Sequence, residues 1–362
     1  MPPSLLRVVQ LTSPGRGAIA ALLVESPGAL GAVEKHLRTK SGRPLTSYPT
    51  DQLVFGRFGP PPCEQVVVRR RNANSVEVNC HGGLAAVAMI ENILVAEGCQ
   101  CVGWRDWAAG HYADPITAAA HTALAEATTE RTATILLDQY HGALHRAFEE
   151  IEQAIDKGYV AAARTKIDEL LARARLGRHL IRPWQVVLAG RPNVGKSSLV
   201  NALVGYPRAI VHPQPGTTRD VVSVRTAIDG WPVELADTAG LHAAGEGVER
   251  AGIERAHARL AAADLVVLIF DRSAPWCQAD EALIQTWPKA LVVHNKCDLP
   301  PAPGWGTGGL ATSALGGFGI EALAQAIADR LVPDPPPAGA AVPFAVEHLE
   351  CLARLAERVK GE

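Results

Sequence analysis

Apolar residues in the first 110 positions fall in short runs, the pattern typical of β-strands. These runs are residues 5–11, 18–24, 65–69 and 75–79. A longer stretch, residues 84–97, is mostly apolar and stops at Gly98, which predicts one helix. Together these elements predict a small α+β domain over residues 1–111.

Residues 115–177 contain few helix breakers and are rich in Ala, Glu, Leu and Arg. This predicts two long helices joined by a turn at Gly158 and Tyr159, and such a pair usually forms a hairpin or bundle. We assign residues 112–180 as the first part of a helical domain.

From residue 181 the pattern changes, because apolar runs alternate with amphipathic stretches. The runs are residues 185–189, 265–270 and 291–294. This alternation is typical of a mostly parallel sheet flanked by helices, and it predicts a third domain over residues 181–332. After a proline-rich linker, residues 343–362 can form only one amphipathic helix. One helix cannot form a domain, so we expect residues 338–362 to pack on the earlier helices as the truncated end of the helical domain, with the third domain inserted in it.

The composition fits a multidomain globular protein. At roughly 150 residues per domain, 362 residues correspond to about two and a half domains. Hydrophobic residues make up 48%, charged residues 20%, and the net charge is -2, which argues against a disordered chain and against a strongly basic nucleic-acid binder. The apolar runs are far shorter than the roughly 18 residues of a membrane helix. With runs this short we expect no membrane partner. The seven cysteines are odd in number and lack CxxC spacing, so we expect reduced thiols and a cytoplasmic location.

Candidate chemistry begins with GRPNVGKS at residues 190–197, which matches G-x-x-x-x-G-K-[ST] between an apolar strand and a helical stretch. The glycines let backbone N–H groups surround phosphates, Lys196 can reach the β and γ oxygens, and the Ser197 hydroxyl can bind Mg²⁺. The candidate nucleotide-binding residues of this loop are Asn193, Val194, Gly195, Lys196, Ser197 and Ser198.

Two further motifs follow in chain order. GTTRD at residues 216–220 lies where a loop can close over the γ-phosphate, with Thr217 and Thr218 as nucleotide contacts and Thr218 as a second Mg²⁺ ligand. DTAG at residues 237–240 follows a strand, so Asp237 can hold Mg²⁺ through water and the Gly240 N–H can contact the γ-phosphate. Either motif alone could be an ordinary turn. The candidates in DTAG are Asp237, Thr238, Ala239 and Gly240.

NKCD at residues 295–298 ends another strand. The Asp298 carboxylate can accept from guanine N1–H and the exocyclic amine, donors that adenine does not present, so the motif favours GTP over ATP. Downstream, a backbone N–H of Ser313 or Ala314 can serve the guanine O6. An isolated NKxD is a common surface turn, but five motifs in this order predict a domain that binds and hydrolyses GTP. The candidates for the base are Asn295, Lys296, Asp298, Ser313 and Ala314.

The residue after DTAG is Leu241, so the glutamine that orients the attacking water in Ras-type proteins is absent. Asn193 offers a neutral oxygen beside the phosphates that suits a monovalent cation. The alternative is that Asn193 only hydrogen-bonds its own loop.

Several segments resemble the MnmE (TrmE) family of tRNA modification GTPases. In the G domain they are GRPNVGKSS (190–198), PGTTRD (215–220), DTAGL (237–241), GVERAGIERA (247–256) and NKCD (295–298). Elsewhere they are SPGRGAI (13–19), VEVNCHGG (76–83) and LAEATTERTATILLDQYHGAL (124–144). The resemblance covers nearly the whole chain. It implies a folate-binding-like N-terminal domain that forms a homodimer, a helical domain, and a P-loop G domain inserted in the helical one.

The resemblance also implies a mechanism and partners. It implies K⁺-stimulated GTP hydrolysis in a transient G-domain dimer, with Lys196 and Mg²⁺ stabilising the transferred phosphoryl group. Glu249 would orient the attacking water through a bridging water, and the alternative for Glu249 is a surface residue. The implied role is modification of the wobble uridine (U34) of tRNA with an MnmG-like partner subunit. The implied K⁺ ligands are the Asn193 side chain, the carbonyls of His212 and Gln214, and Thr217.

Two departures from the family leave an alternative function open. The family's C-terminal Cys-x-Gly-Lys tail has no counterpart, since the chain ends in VKGE. In the site for 5-formyltetrahydrofolate, Leu23 replaces the family's arginine, and only Glu77 is left as a candidate contact, whose other interpretation is a solvated strand end. The alternative is an MnmE-derived regulatory or ribosome-assembly GTPase switch that has lost the modification chemistry.

Overall fold

The computed structural model describes residues 5–15, 17–205, 223–237, 260–303, 305 and 308–360. The chain divides into two compact units, Met1–Ala118 and Ala119–Glu362. None of the helices in these described ranges is long and apolar enough to cross a membrane.

The first unit is built on a seven-stranded sheet with the order β3-β4-β5-β6-β2-β1-β7. Neighbouring strands are antiparallel except β1 and β7, which are parallel. The strands are β1 Arg7–Gln10, β2 Ile19–Glu25, β3 Leu37–Thr39, β4 Leu53–Phe58, β5 Glu64–Asn72, β6 Ser75–His81 and β7 Gln100–Cys101. The helices are α1 Ala29–Glu34, α2 Leu84–Ala96 and α3 Trp104–His111, and Leu45–Ser47 forms one 3-10 turn.

Both faces of this sheet carry packed helices. Helices α1 and α2 cover one face, where Val33, Ile90 and Leu94 join the main apolar core. Helix α3 packs on the other face, with Trp107 against Val9 and Leu23. The prediction of one helix in this unit is wrong, because α1 and α3 are also present, and strands β3 and β4 were not predicted. In β4 every second residue is buried, as in a strand with one face in a core.

The second unit contains a six-stranded sheet with the order β13-β12-β11-β8-β10-β9. All neighbours are parallel except the edge strand β9, which is antiparallel to β10. The strands are β8 Trp184–Ala189, β9 Ser223–Ile228, β10 Trp231–Asp237, β11 Leu265–Asp271, β12 Leu291–Asn295 and β13 Leu310–Ala311. The helices beside them are α8 Lys196–Val204, α9 Gln278–Thr286 and α10 Ile320–Leu331.

The predicted pair of long helices between residues 115 and 177 is wrong, because the structure has four helices there. The chain breaks at Thr129, whose hydroxyl caps the next helix by accepting from the Thr132 N–H at 3.3 Å. It breaks again at Gly142, which has φ 87° and separates two helices. The predicted turn at Gly158 is present, with φ 74°. The four helices are α4 Pro115–Glu126, α5 Glu130–Tyr140, α6 Ala143–Asp156 and α7 Val160–Arg178.

The last helix, α11 Val346–Lys360, packs on α6 and α7. The segment before it is fixed by the buried Gln139 side chain, which donates to the Ala340 carbonyl at 3.0 Å and accepts from the Val342 N–H at 3.1 Å. Residues 338–360 therefore return to helices that precede the six-stranded sheet in the chain.

Gly177 in α7 makes this return possible. An added Cβ at Gly177 would lie 1.8 Å from the Pro343 carbonyl oxygen, a backbone atom that cannot move without shifting the segment. We expect Gly177→Ala to lower the free energy of unfolding by about 1–3 kcal/mol, the range for overpacking, although alanine ordinarily favours a helix. The control is Gly110→Ala in α3, where an added Cβ meets open space. Urea denaturation of both variants checks this, and equal stability of the two would contradict it.

The end of α7 is joined to the sheet through Asp264. Its carboxylate accepts from the Gln185 N–H at 2.9 Å and lies 3.4 Å from His179 Nε2 and 3.6 Å from an Arg175 nitrogen. The His179 ring stacks on Trp184, the first residue of β8, with centroids 3.7 Å apart. Helix α7 is thus attached directly to the strand that leads into the glycine-rich loop.

This attachment predicts a pH dependence of stability. Burial raises the pKa of Asp264, but the hydrogen bonds from His179 and Gln185 and the charges of His179 and Arg175 outweigh burial and hold the pKa below its usual value. A depressed carboxyl pKa stabilises the fold above the unfolded value of about 3.9, and the contribution is lost as pH falls through the folded value. We expect the stability gap between the wild type and Asp264→Asn that is measured at about pH 5 to shrink below about pH 4. Thermal unfolding across this range measures the gap, and a gap independent of pH would contradict the prediction.

Candidate nucleotide-binding site

The carboxyl ends of the parallel strands β8, β10, β11 and β12 lie at one edge of the sheet, and the glycine-rich loop follows β8. This is the edge at which open α/β sheets bind ligands. In the loop Asn193 has φ 64° and Gly195 has φ 97°. An added Cβ at Gly195 would lie 2.3 Å from Asn295 Nδ2, so both the backbone angle and the space require glycine there.

Lys196 is the first residue of α8 and is 5% exposed. Its ammonium donates to the carbonyls of Gly190 at 3.0 Å and Arg191 at 2.8 Å, which fixes it across the loop. Burial lowers the pKa of Lys196, and the charge of Asp237 only partly offsets this. A buried cation beside a helix N-terminus is an arrangement suited to phosphate groups.

Ser197 and Asp237 meet at the same edge, where the Ser197 hydroxyl donates a hydrogen bond to Asp237 Oδ2. Asp237 is the last residue of β10 and is 4% exposed, whereas Ser197 is exposed. A hydroxyl and a carboxylate side by side are hard oxygen ligands of the kind that Mg²⁺ prefers. The residues therefore fit that ion.

Asn295 connects three of the sequence motifs. Its side chain is 2% exposed, and Nδ2 donates to the Val194 carbonyl at 2.9 Å. Its Oδ1 accepts from the Thr312 hydroxyl at 3.3 Å and from the Ala314 N–H at 3.2 Å. Asn295 thus ties the phosphate loop to the segment around Ser313, which is 1% exposed and donates its N–H to the Phe318 carbonyl at 2.9 Å.

The next residue, Lys296, has φ 62° and donates to Asp271 Oδ2 at 2.6 Å. Burial raises the pKa of Asp271, but hydrogen bonds from Lys296 and Ser273 and the Lys296 charge hold it below its usual value. Asp271 was not among the predicted site residues. The sequence could have indicated it, because Asp271 ends the apolar run of β11, and the carboxyl end of this strand lies at the same edge as Asp237 and Asn295.

Asp298 is exposed at the rim of a cavity of about 410 Å³. The other residues that line the cavity are Arg272, Cys297, Ala311, Ser313, Gly316 and Phe318. The cavity lies beside the NKCD loop and the segment around Ser313, so both predicted base-recognition segments border it.

The remaining predicted site residues of the second unit lie outside the described residues. They are His212, Gln214, Thr217, Thr218, Thr238, Ala239, Gly240 and Glu249.

Glu77, the candidate folate contact, is on β6 of the first unit. Its Oε2 accepts from Arg69 at 2.8 Å and from Arg71 Nε at 2.9 Å, and its Oε1 accepts from Asn79 at 3.1 Å. Burial raises the pKa of Glu77, but these hydrogen bonds and the Arg71 charge hold it below its usual value. Both carboxylate oxygens are therefore engaged within the sheet.

This edge of the sheet carries a glycine-rich loop between a buried strand and a helix, a buried lysine, a Ser–Asp pair and the NKCD loop. Together these features define a P-loop GTPase. A family model described as a 50S ribosome-binding GTPase matches residues 185–296.

Curated relatives extend the likeness over both units. The tRNA modification GTPase MnmE of Geobacillus kaustophilus is 31% identical over 88% of this chain and 80% of its own. The MnmE of Thermus thermophilus is 33% identical over 96% and 87%, and that of Chloroflexus aurantiacus is 34% identical over 97% and 87%. The chain belongs to the MnmE family of tRNA modification GTPases. Among solved structures, the G domain of the T. maritima FeoB iron transporter overlaps 41% of this chain and 99% of its own at 26% identity, with a TM-score of 0.30.

Proposed function

We propose that this chain binds GTP with Mg²⁺, hydrolyses it with K⁺ as an activator, and acts in modification of the wobble uridine (U34) of tRNA. The observation that carries the hydrolytic part is the position of Lys196 and the Ser197–Asp237 pair at the mouth of the glycine-rich loop. The tRNA part is supported by membership of a family whose curated members are named tRNA modification GTPases.

The chain's own groups stabilise charge on the phosphates. Backbone N–H groups of the loop and of the α8 N-terminus donate to phosphate oxygens, and the Lys196 ammonium pairs with the β and γ oxygens. Ser197 and Asp237, together with Thr218, would hold Mg²⁺. When bound, the ion neutralises charge that develops on the transferred group. Thr217, Thr238, Ala239 and Gly240 complete the proposed phosphate contacts.

Guanine recognition rests on the NKCD loop. Asp298 accepts from the two guanine donors, and Asn295 holds the loop against the phosphate loop through Val194. Because Asn295 also bonds the Ala314 N–H, one residue fixes the distance between the segments that hold the phosphates and those that hold the base.

The K⁺ site would combine Asn193 with His212, Gln214 and Thr217, and Glu249 would steer the attacking water. Asn193 is exposed on the loop, and a carboxamide oxygen is a suitable ligand for a hard monovalent cation. Steady-state GTP turnover in KCl and in NaCl at equal ionic strength tests this part. We expect faster turnover in KCl and loss of the difference in Asn193→Ala. Equal wild-type rates in both salts would remove the K⁺ mechanism and leave hydrolysis intact.

We also propose the family's domain arrangement, with a G domain over residues 181–332 inserted between helical segments 112–180 and 338–362. The packing of α11 on α6 and α7 supports it. The proposed assembly is a cytoplasmic homodimer through residues 1–111, with a transient G-domain dimer, an MnmG-like partner subunit and tRNA. It does not include 5-formyltetrahydrofolate, because Glu77 is engaged by Arg69, Arg71 and Asn79.

The tRNA role is tested by mass spectrometry of wobble uridines from a strain that lacks the gene. We expect the modified nucleosides to disappear and to return when the wild-type chain is supplied, but not when the Lys196→Ala chain is supplied. Unchanged nucleosides in the deletion strain would exclude the role in modification while leaving the GTPase.

A further inference from the structure

An ion pair joins the phosphate loop to a helix that the sequence motifs do not include. Asp280, in the first turn of α9, is 4% exposed, and its Oδ2 accepts from Arg191 Nη1 at 3.1 Å. The same oxygen accepts from the Cys277 N–H at 3.1 Å and the Cys277 thiol at 3.2 Å. Arg191 is the second residue of the glycine-rich loop and lies 89 positions before Asp280.

The capping role alone does not require a charge at this position. A residue at the third position of a helix caps by accepting from the backbone N–H of the residue before the helix, which asparagine or glutamine can do. A buried carboxylate is costly unless a cation accompanies it, and removing one partner of such a pair leaves the other without compensation. Arg191 is the cation that the described residues provide for Asp280.

The backbone of Arg191 is the second connection. Its carbonyl accepts from the Lys196 ammonium at 2.8 Å, next to the Gly190 carbonyl at 3.0 Å. The contacts therefore run from Asp280 through the Arg191 side chain to the Arg191 carbonyl and on to Lys196. Lys196 is buried, and the hydrogen bonds to these two carbonyls hold its ammonium in place.

We propose that Asp280 is a positioning residue of the nucleotide site, which holds Arg191 so that the Gly190 and Arg191 carbonyls aim Lys196 at the nucleotide phosphates. This inference rests on the proposed binding of GTP at the loop. Asp280 does not touch the nucleotide and acts only through Arg191.

The test compares Asp280→Asn, Arg191→Ala and the double variant. Asparagine keeps the size of Asp280 and an acceptor for the cap, so the helix start is preserved and only the charge is lost. We expect each single variant to weaken binding of a fluorescent GDP analogue and to lower kcat/KM for GTP about tenfold, within the usual range of coupling between connected sites. Because both residues belong to one path, the double variant should lose no more than either single variant.

Three further variants separate positioning from stability. Asp280→Glu restores the charge and should recover part of the nucleotide affinity. Cys277→Ala removes a second partner of Asp280 while leaving Arg191, so it should lower the thermal midpoint with little change in affinity. Asp156→Asn makes the same chemical change at the exposed pair with Arg358 and should alter neither quantity.

The outcomes are distinguishable. If Asp280→Asn lowers the thermal midpoint but leaves GDP affinity and kcat/KM at wild-type values, the Asp280 charge only stabilises the fold and the inference is wrong. Additive losses in the double variant would also overturn it, because they would show independent effects. A wild-type chain that fails to bind the GDP analogue would instead refute GTP binding itself.

Discussion

Replacing Lys196 with alanine is expected to lower kcat/KM for GTP about 10³-fold, the upper range for removing one preorganised donor from a developing anion. Lys196 is the cation at the mouth of the phosphate loop, buried and already aimed by the carbonyls of Gly190 and Arg191. Its loss removes charge stabilisation in the transition state, so kcat should fall in addition to any rise in KM. Steady-state turnover with a thermal-unfolding control measures both.

A second substitution guards against a folding defect, because alanine also leaves the two loop carbonyls without their donor. Lys196→Gln retains an N–H donor for those carbonyls but carries no charge, and it should lose activity to nearly the same extent. Lys289→Ala, at an exposed position of the same unit, should behave as wild type. Substantial hydrolysis by Lys196→Gln would show that the charge of Lys196 is not required and would contradict the prediction.

The attachment of α7 to β8 suggests how the helical elements and the nucleotide site influence each other. Asp264, His179 and Trp184 hold the end of α7 at the start of β8, and the phosphate loop follows the other end of that strand. At the far edge of the sheet, Arg131 of α5 pairs with Asp229 at 2.9 Å and lies over the Trp231 ring at 5.0 Å. Helices α5 and α7 therefore both contact the sheet, and a shift of the sheet would move both of them.

The sequence reveals the nucleotide site because its chemistry is local. A glycine-rich loop must be contiguous to wrap phosphates, so GRPNVGKS could be recognised as a string, and the same holds for NKCD. The role of Asn295 as a link between loops was not foreseen, because its partners Val194 and Ala314 are distant in the chain. Asp280 was not predicted for the same reason, because its partner Arg191 is 89 residues away. In the local sequence, an aspartate at the start of a helix indicates only a helix cap.

Helix breaks were predicted less well than strands. The apolar runs of the parallel sheet are buried on both faces, so their composition alone marks them. The breaks at Thr129 and Gly142 depend on one cap and one positive φ inside a helix-rich stretch, and average composition does not reveal either. Short strands such as β4 were missed because Gly56 interrupts the apolar pattern, although alternate residues are buried.

The second large effect is expected from Asp298→Asn, which should change the preferred base. A carboxylate offers two acceptors to the two donors of guanine, whereas asparagine presents one acceptor and one donor. Xanthine pairs with the latter, because it has an N1–H donor and a carbonyl oxygen in place of the exocyclic amine. We expect kcat/KM for GTP to fall roughly 100-fold, since hydrogen bonds to charged groups contribute about 1.5–3 kcal/mol each, and kcat/KM for XTP to rise toward the wild-type value for GTP.

Stability should change little in this variant, because the Asp298 side chain is exposed. The control Asp334→Asn makes the same substitution at another exposed aspartate of the unit and should leave the preference for GTP over XTP unchanged. Competition of GDP and XDP against a fluorescent nucleotide separates base recognition from hydrolysis. Loss of GTP activity without any gain for XTP would show that Asp298 supports the loop and does not read the base. The paired loss and gain is the result that only a direct contact between Asp298 and the base can produce.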